Sequence, residues 1–181
     1  MLFAGTSVDD GDVLLLERAS SLRSHSGQVA FPGGALDPGD DGPVGAALRE
    51  AEEETGLDPA GVDALAVLGE LFLPPSGFRV RPVLAHWRAP TPVHAVDAAE
   101  SASVSRVSLT ELVDPANRFR VRHPSGMTGP AFAVDGLLVW GFTGGLLAVL
   151  ASLAGWERPW DGSDVRDLDA ALGSARGSVS R

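Results

Sequence analysis

Arg49-Glu50-Ala51-Glu52-Glu53-Glu54-Thr55-Gly56-Leu57 is the stretch that decides the architecture of this 181-residue chain. Val44 to Thr55 has helical composition, follows the turn formers Asp37-Pro38-Gly39-Asp40-Asp41-Gly42-Pro43, and meets Gly56 where a helix needs a left-handed stop. On such a helix Glu50, Glu53 and Glu54 span about 100°, because positions three and four apart are neighbours. Val44, Ala47, Leu48 and Ala51 fall on an adjacent arc, so that side is expected to pack on a sheet while the carboxylates point along its edge; Glu52 projects to solvent. Stacked like charges cost an isolated helix about 0.2–0.5 kcal/mol per pair. A divalent cation reverses that sign, since Mg²⁺ takes oxygen ligands at about 2.0–2.1 Å, keeps several waters and is commonly shared with phosphates. Glu50 and Glu54, one turn apart, are best placed to hold one Mg²⁺ or Mn²⁺, with Glu53 completing the site or binding a second ion. Arg49 points about 100° away and is positioned to pair with Glu53 or to reach carbonyls of the preceding loop, fixing helix to loop.

Working outward, the composition excludes several chemistries. The chain has no Cys, which removes disulfides, a thiolate nucleophile and Cys-ligated zinc or iron–sulfur sites. All 14 basic residues are Arg, so Schiff-base lysines and the P-loop lysine are absent too. An anionic ligand must therefore be held by guanidinium forks, backbone amides or metal. A net charge of -10 opposes nucleic acids and anionic membranes as partners, whereas a small phosphate ester can still bind through a cation. The N-terminus MLFAGTSVDDGD has no basic segment followed by an apolar one, so no signal peptide is expected and the cytoplasm is the expected location. Leu137 to Trp156 is the most apolar stretch; Gly141, Gly144 and Gly145 interrupt it, which favours a buried helix over a membrane span.

With 44% hydrophobic residues the chain can bury one sizeable core, and its length fits one domain. Strands are expected at Val13–Leu16, Gln28–Phe31, Val62–Leu73 (interrupted by Gly69), Val80–Trp87 and Ser103–Leu109. A short helix is expected near Leu109–Val113 and a last one at Thr143–Leu153, with Phe132–Val139 either a further strand or the start of that helix. Strands and helices interleave, which predicts an α/β (α+β) fold: a mixed sheet covered by helices. From Asp161 onward Gly, Ser, Asp and Arg dominate, so residues 157–181 are expected to form a loosely held tail behind a domain spanning 2–156.

The acidic segment resembles the Nudix box, G-x5-E-x7-R-E-U-x-E-E-x-G-U with U a bulky aliphatic. Arg49, Glu50, Glu53, Glu54, Gly56 and Leu57 match its second half, with Ala51 as a small U. Counting from Gly34, the first acid falls on Asp40, an Asp in place of Glu, and eight residues rather than seven separate it from Arg49. Upstream, Leu14-Leu15-Leu16-Glu17-Arg18-Ala19, Arg23, Gly27 and Phe31-Pro32-Gly33-Gly34 are similar to L-L-T-x-R-S-x3-R-x3-G-x3-F-P-G-G of the coenzyme A pyrophosphatase branch, which also has the longer loop. Pro75-Ser76-Gly77-Phe78-Arg79-Val80-Arg81-Pro82 and Val139-Trp140-Gly141-Phe142-Thr143 resemble segments of the same branch.

The resemblance implies a Nudix α/β/α sandwich and a metal-dependent hydrolase acting on a coenzyme A-like small-molecule diphosphate, as monomer or homodimer. Its catalytic set is then Glu50, Glu53, Glu54 and Arg49, with Glu50, Glu53 and Glu54 as metal ligands; Glu100, where that branch often has a glutamate, is an extra ligand or the base that activates water. Arg18 and Arg23 are candidates to grip the substrate's phosphates, and Gly33 and Gly34 let the backbone turn tightly and approach the substrate. Ser24 and His25 lack a third member at recognisable spacing for a nucleophile–base pair. The alternatives are another nucleoside diphosphate derivative as substrate (ADP-ribose, a nucleotide sugar or a nucleoside triphosphate) and a non-catalytic binding module. Three costly carboxylates speak against the last.

Overall fold

Val13, Leu14, Leu15 and Leu16 lie at the centre of the molecule, each at most 2% exposed, because their strand is covered on both faces. The computed structural model describes residues 1–19, 27–73 and 77–177. Along the chain, β1 (Leu2–Ala4), β2 (Asp12–Arg18) and β3 (Val29–Ala30) precede the helix α1 (Gly42–Thr55). Next come β4 (Val62–Val67), β5 (Leu71–Leu73), β6 (Phe78–Val80), β7 (Val83–Trp87), β8 (Ser101–Ser108) and α2 (Leu109–Val113). The remainder is β9 (Arg118–Arg122), β10 (Thr128–Val134), β11 (Leu137–Val139), α3 (Gly141–Leu153), β12 (Val165–Asp167) and α4 (Leu168–Gly177).

The main sheet is six-stranded and mixed, in the order β3-β2-β1-β7-β4, with β8 on the other side of β2. β1 runs parallel to β7 and antiparallel to β2, and β8 follows β2 antiparallel along its whole length. Alternation divides the core. Leu14 joins Ala51, Leu57 and Trp87 on the α1 side, whereas Val13, Leu15 and Val107 meet Phe132, Val139 and Leu147 on the other. The register of β8 shifts between Glu17 and Arg18, so that Glu17 faces Ser103 but Arg18 faces Ser101.

α1 carries Pro in its first turn and stops at Gly56, whose φ of 69° is left-handed and whose N–H donates to the Glu52 carbonyl at 2.8 Å. Its buried residues are Ala46, Ala51 and Thr55. Of the arc expected to pack, only Ala51 is fully covered. Ala47 and Leu48 instead line a small cavity against Val83 and Ala85 of β7.

Two expectations need correction. Phe132 to Val139 is neither one strand nor a helix start: Asp135-Gly136, both at positive φ, fold it into the β10–β11 hairpin. The second concerns residues 157–181, where β12 pairs parallel with β9 and α4 packs Leu168, Ala171 and Ala175 against Phe119, Val121 and Leu138. The polar composition of that stretch hides a stripe at i, i+3 and i+7, which is enough to cover one face of a sheet. β9, β10, β11 and β12 thus form a second, four-stranded sheet. The mixed α+β architecture matches the expected fold class, with this sheet added behind the first. Among the described residues no helix is long and apolar enough to cross a membrane.

Candidate active site

Glu54 is the penultimate residue of α1 and faces the Phe31-Pro32-Gly33-Gly34 turn. Its Oε2 accepts the Gly33 N–H at 2.9 Å. Burial pushes its carboxyl up to about 7; the Gly33 hydrogen bond opposes this, Glu50 adds to it, Arg18 opposes it and Glu100 adds to it. One field is therefore shared by Glu50, Glu54, Glu100 and Arg18, which come from α1, the loop before β8, and the end of β2.

A backbone clamp brings Glu100 there. The last carbonyls of a helix lack intrahelical partners, and on α1 the Thr55 carbonyl accepts the His94 N–H at 3.0 Å while the Glu54 carbonyl accepts the Val96 N–H at 3.3 Å. The loop leading to β8 is thereby stitched to the helix that carries Glu54. At the far end of the loop the Glu100 carbonyl accepts the Ala19 N–H at 2.9 Å, which fixes it beside Arg18.

Arg49 makes both contacts that its position allows, and more. Its Nη1 donates to Glu53 Oε2 at 2.9 Å and to Glu50 Oε1 at 3.0 Å, and its Nη2 donates to the Ala35 carbonyl at 3.0 Å. Nε and Nη2 also grip the Asp40 carboxylate at 2.9 and 3.1 Å. Asp40 has a side chain only 5% exposed; the Arg49 fork holds its carboxyl below the usual range, helped by the Asp37 N–H. The extra residue between Asp40 and Arg49 relative to the general box leaves this bidentate pair intact. Sequence reasoning missed that role, and the Asp37-x-x-Asp40 turn was the available signal.

The expected residues divide as follows. Glu54 and Glu50 meet Gly33 and Gly34 directly, Arg18 acts on Glu54 through its charge, and Glu100, tied to Ala19 through its backbone, is exposed. Glu50 lies so close over Gly34 that a Cβ there would overlap its carboxylate. Glu53, by contrast, is 59% exposed and is held at the rim by Arg49. Arg23, Ser24 and His25, with Pro75 and Ser76, lie outside the described residues.

Among the described residues no three acidic or histidine side chains are grouped closely enough to cage a metal. The donor set nevertheless fits a hard cation. Glu50 and Glu54 offer oxygen, repel each other across one turn of helix, and match the one or two carboxylates by which Mg²⁺ is commonly held alongside waters and phosphate oxygens.

A family model for the NUDIX domain matches residues 4–125. Proteins with this domain are hydrolases of small-molecule diphosphates, as a rule metal-dependent. The chain belongs to the Nudix hydrolase family. The uncharacterized Nudix hydrolase NudL of Cronobacter sakazakii is 39% identical over 158 residues, covering 81% of this chain and 77% of that protein. NudL of Escherichia coli (strain K12 / DH10B) is 36% identical over 150 residues, covering 77% and 73%. Among solved structures, a Caenorhabditis elegans Ap4A hydrolase binary complex aligns with a TM-score of 0.46 at 24% identity over 58% of this chain and 74% of that one. A MutT NUDIX hydrolase from Burkholderia pseudomallei aligns with a TM-score of 0.46 at 22% identity over 63% and 87%.

Proposed function

We propose that this Nudix hydrolase cleaves the diphosphate of coenzyme A or its derivatives to 4′-phosphopantetheine and adenosine 3′,5′-bisphosphate, with Mg²⁺ or Mn²⁺ held by Glu50 and Glu54. The observation that carries the reading is that Glu54 accepts the Gly33 N–H while Glu50 lies directly over Gly34, with the Glu100 backbone bound to Ala19 next to Arg18. Coenzyme A in particular is supported by the Leu14 to Gly34 stretch and its likeness to the pyrophosphatase branch.

When bound, the cation supplies neutralisation of the diphosphate oxygens. Arg18, with Arg23, binds non-bridging oxygens through guanidinium N–H donors. Glu100 accepts a proton from the attacking water as its oxygen bonds to phosphorus, and the bridging P–O bond breaks with its electron pair leaving on the departing phosphate. Gly33 and Gly34 bring no side chain of their own beside Glu54 and Glu50, so the turn's backbone can approach the substrate. Arg49 positions Glu50 and anchors the helix to the loop. Glu53, at the rim and paired with Arg49, would offer an oxygen to a second ion.

A side-by-side turnover panel with Mg²⁺ tests the substrate: coenzyme A, ADP-ribose, a nucleotide sugar and a nucleoside triphosphate. The reading expects coenzyme A to give the highest kcat/KM. Turnover of ADP-ribose with none of coenzyme A assigns the site to another nucleoside diphosphate derivative.

A further inference from the structure

Two buried polar atoms beside the carboxylate cluster have no hydrogen-bond partner: Arg18 Nε and Ser101 Oγ. Their residues stand directly opposite each other across β2 and β8, at the point where the register shifts. Such irregularities re-aim side chains and are frequent next to active sites. Ser101 is only 1% exposed, so its hydroxyl has no solvent to turn to. The groups are complementary, since an arginine Nε–H can only donate while a serine hydroxyl can accept as well as donate. Opposed residues in an antiparallel pair have Cβ atoms about 4.5–5.5 Å apart. Nε stands three bonds beyond its Cβ, a length that can span this separation to a hydroxyl on the opposed residue. Leaving both atoms unpaired forfeits their hydration with no return.

We infer that Ser101 is a positioning residue for Arg18: its Oγ accepts the Arg18 Nε–H and aims the two Nη groups at Glu54 and at the diphosphate. Arg18 has only Coulombic contact with Glu54 among the carboxylates of the cluster, so an anchor at Nε is what sets the direction of the fork. The inference rests on the reading of this cluster as a diphosphate site, and adds a residue that the box and its upstream motif do not contain.

The test uses the full-length ¹⁵N-labelled chain and its arginine Nε–Hε signals, with the Arg18 signal assigned by its loss in Arg18→Gln. The Arg18 Hε is expected to exchange with water about tenfold faster in Ser101→Ala than in the wild type, with Ser101→Thr near the wild type. With coenzyme A and Mg²⁺, Ser101→Ala is expected to raise KM about three- to tenfold with kcat changed less than about twofold, Ser101→Thr to restore it, and Arg18→Gln to abolish the effect. Equal Hε exchange in the wild type and Ser101→Ala overturns the inference, as does an effect confined to kcat. Absence of wild-type turnover on any diphosphate overturns instead the reading of the site, and the Hε comparison still decides the hydrogen bond.

Discussion

Glu54 is caught between burial, which favours its protonated form, and the Gly33 N–H, which favours the carboxylate. Its carboxyl is raised from 4.5 to about 7. The folded chain thus holds that proton more tightly than the unfolded chain between those values. The stabilisation this provides is fully present below the lower value and is lost as pH rises through the upper one. In metal-free buffer, Glu54→Gln is therefore expected to gain stability over the wild type between about pH 5 and about pH 8, measured by urea titration at both ends. Added Mg²⁺ should raise the melting temperature of the wild type but not of the variant. A stability difference that ignores pH contradicts the burial of this carboxylate.

Arg49 tells a parallel story. Its fork serves Asp40, Glu50, Glu53 and the Ala35 carbonyl together, which a lysine ammonium cannot do. Arg49→Lys is expected to lower kcat at least about tenfold while leaving the circular dichroism unchanged, since the bidentate grip on Asp40 fixes the guanidinium whose Nη1 holds Glu50. Helix periodicity alone located the contacts to Glu53 and to the loop. Asp40 was not assigned, because its partnership depends on how a seven-residue turn closes and no periodic pattern encodes that.

Among the elements, α1 was the most legible, since turn formers, apolar spacing and Gly56 all agree on its limits. Gly56 is expected to resist substitution: Gly56→Ala places an L residue at φ 69° and brings a Cβ within 3.0 Å of His94 Cε1. A cost of about 1–2 kcal/mol follows, seen as a fall of roughly 2–8 °C in melting temperature for a chain of this size. The clamp from His94 and Val96 could not be read, because backbone N–H groups carry no side-chain signature. β9 was overlooked for a different reason. Arg118-Phe119-Arg120-Val121-Arg122 alternates as a strand should, but arginines suggest exposure, whereas Arg118 is 3% exposed between the Phe132 and Trp160 rings and pairs with Glu157 at 3.0 Å. That cation draws the segment after α3 back onto the second sheet. Leu168, 5% exposed in the same sheet's core, gives the quantitative check: Leu168→Ala is expected to cost about 2–4 kcal/mol in denaturant unfolding. A value near zero would return residues 157–181 to the status of a loose tail.

For the whole molecule, a chain of net charge -10 recruits a polyanionic ligand only where local charge is inverted. In the proposed function the inversion comes from Arg18 and from a cation on Glu50 and Glu54, where the end of β2, the Gly33-Gly34 turn and α1 meet. The second sheet and α4 lie behind the first sheet, away from the α1 face, and act by holding that framework. Mass-spectrometric product analysis after incubating coenzyme A and Mg²⁺ with the wild type and with Glu54→Gln tests this assignment most directly. The wild type should yield 4′-phosphopantetheine and adenosine 3′,5′-bisphosphate, and the variant should leave coenzyme A intact. Intact coenzyme A with the wild type, or the same products at the same rate from the variant, would contradict it.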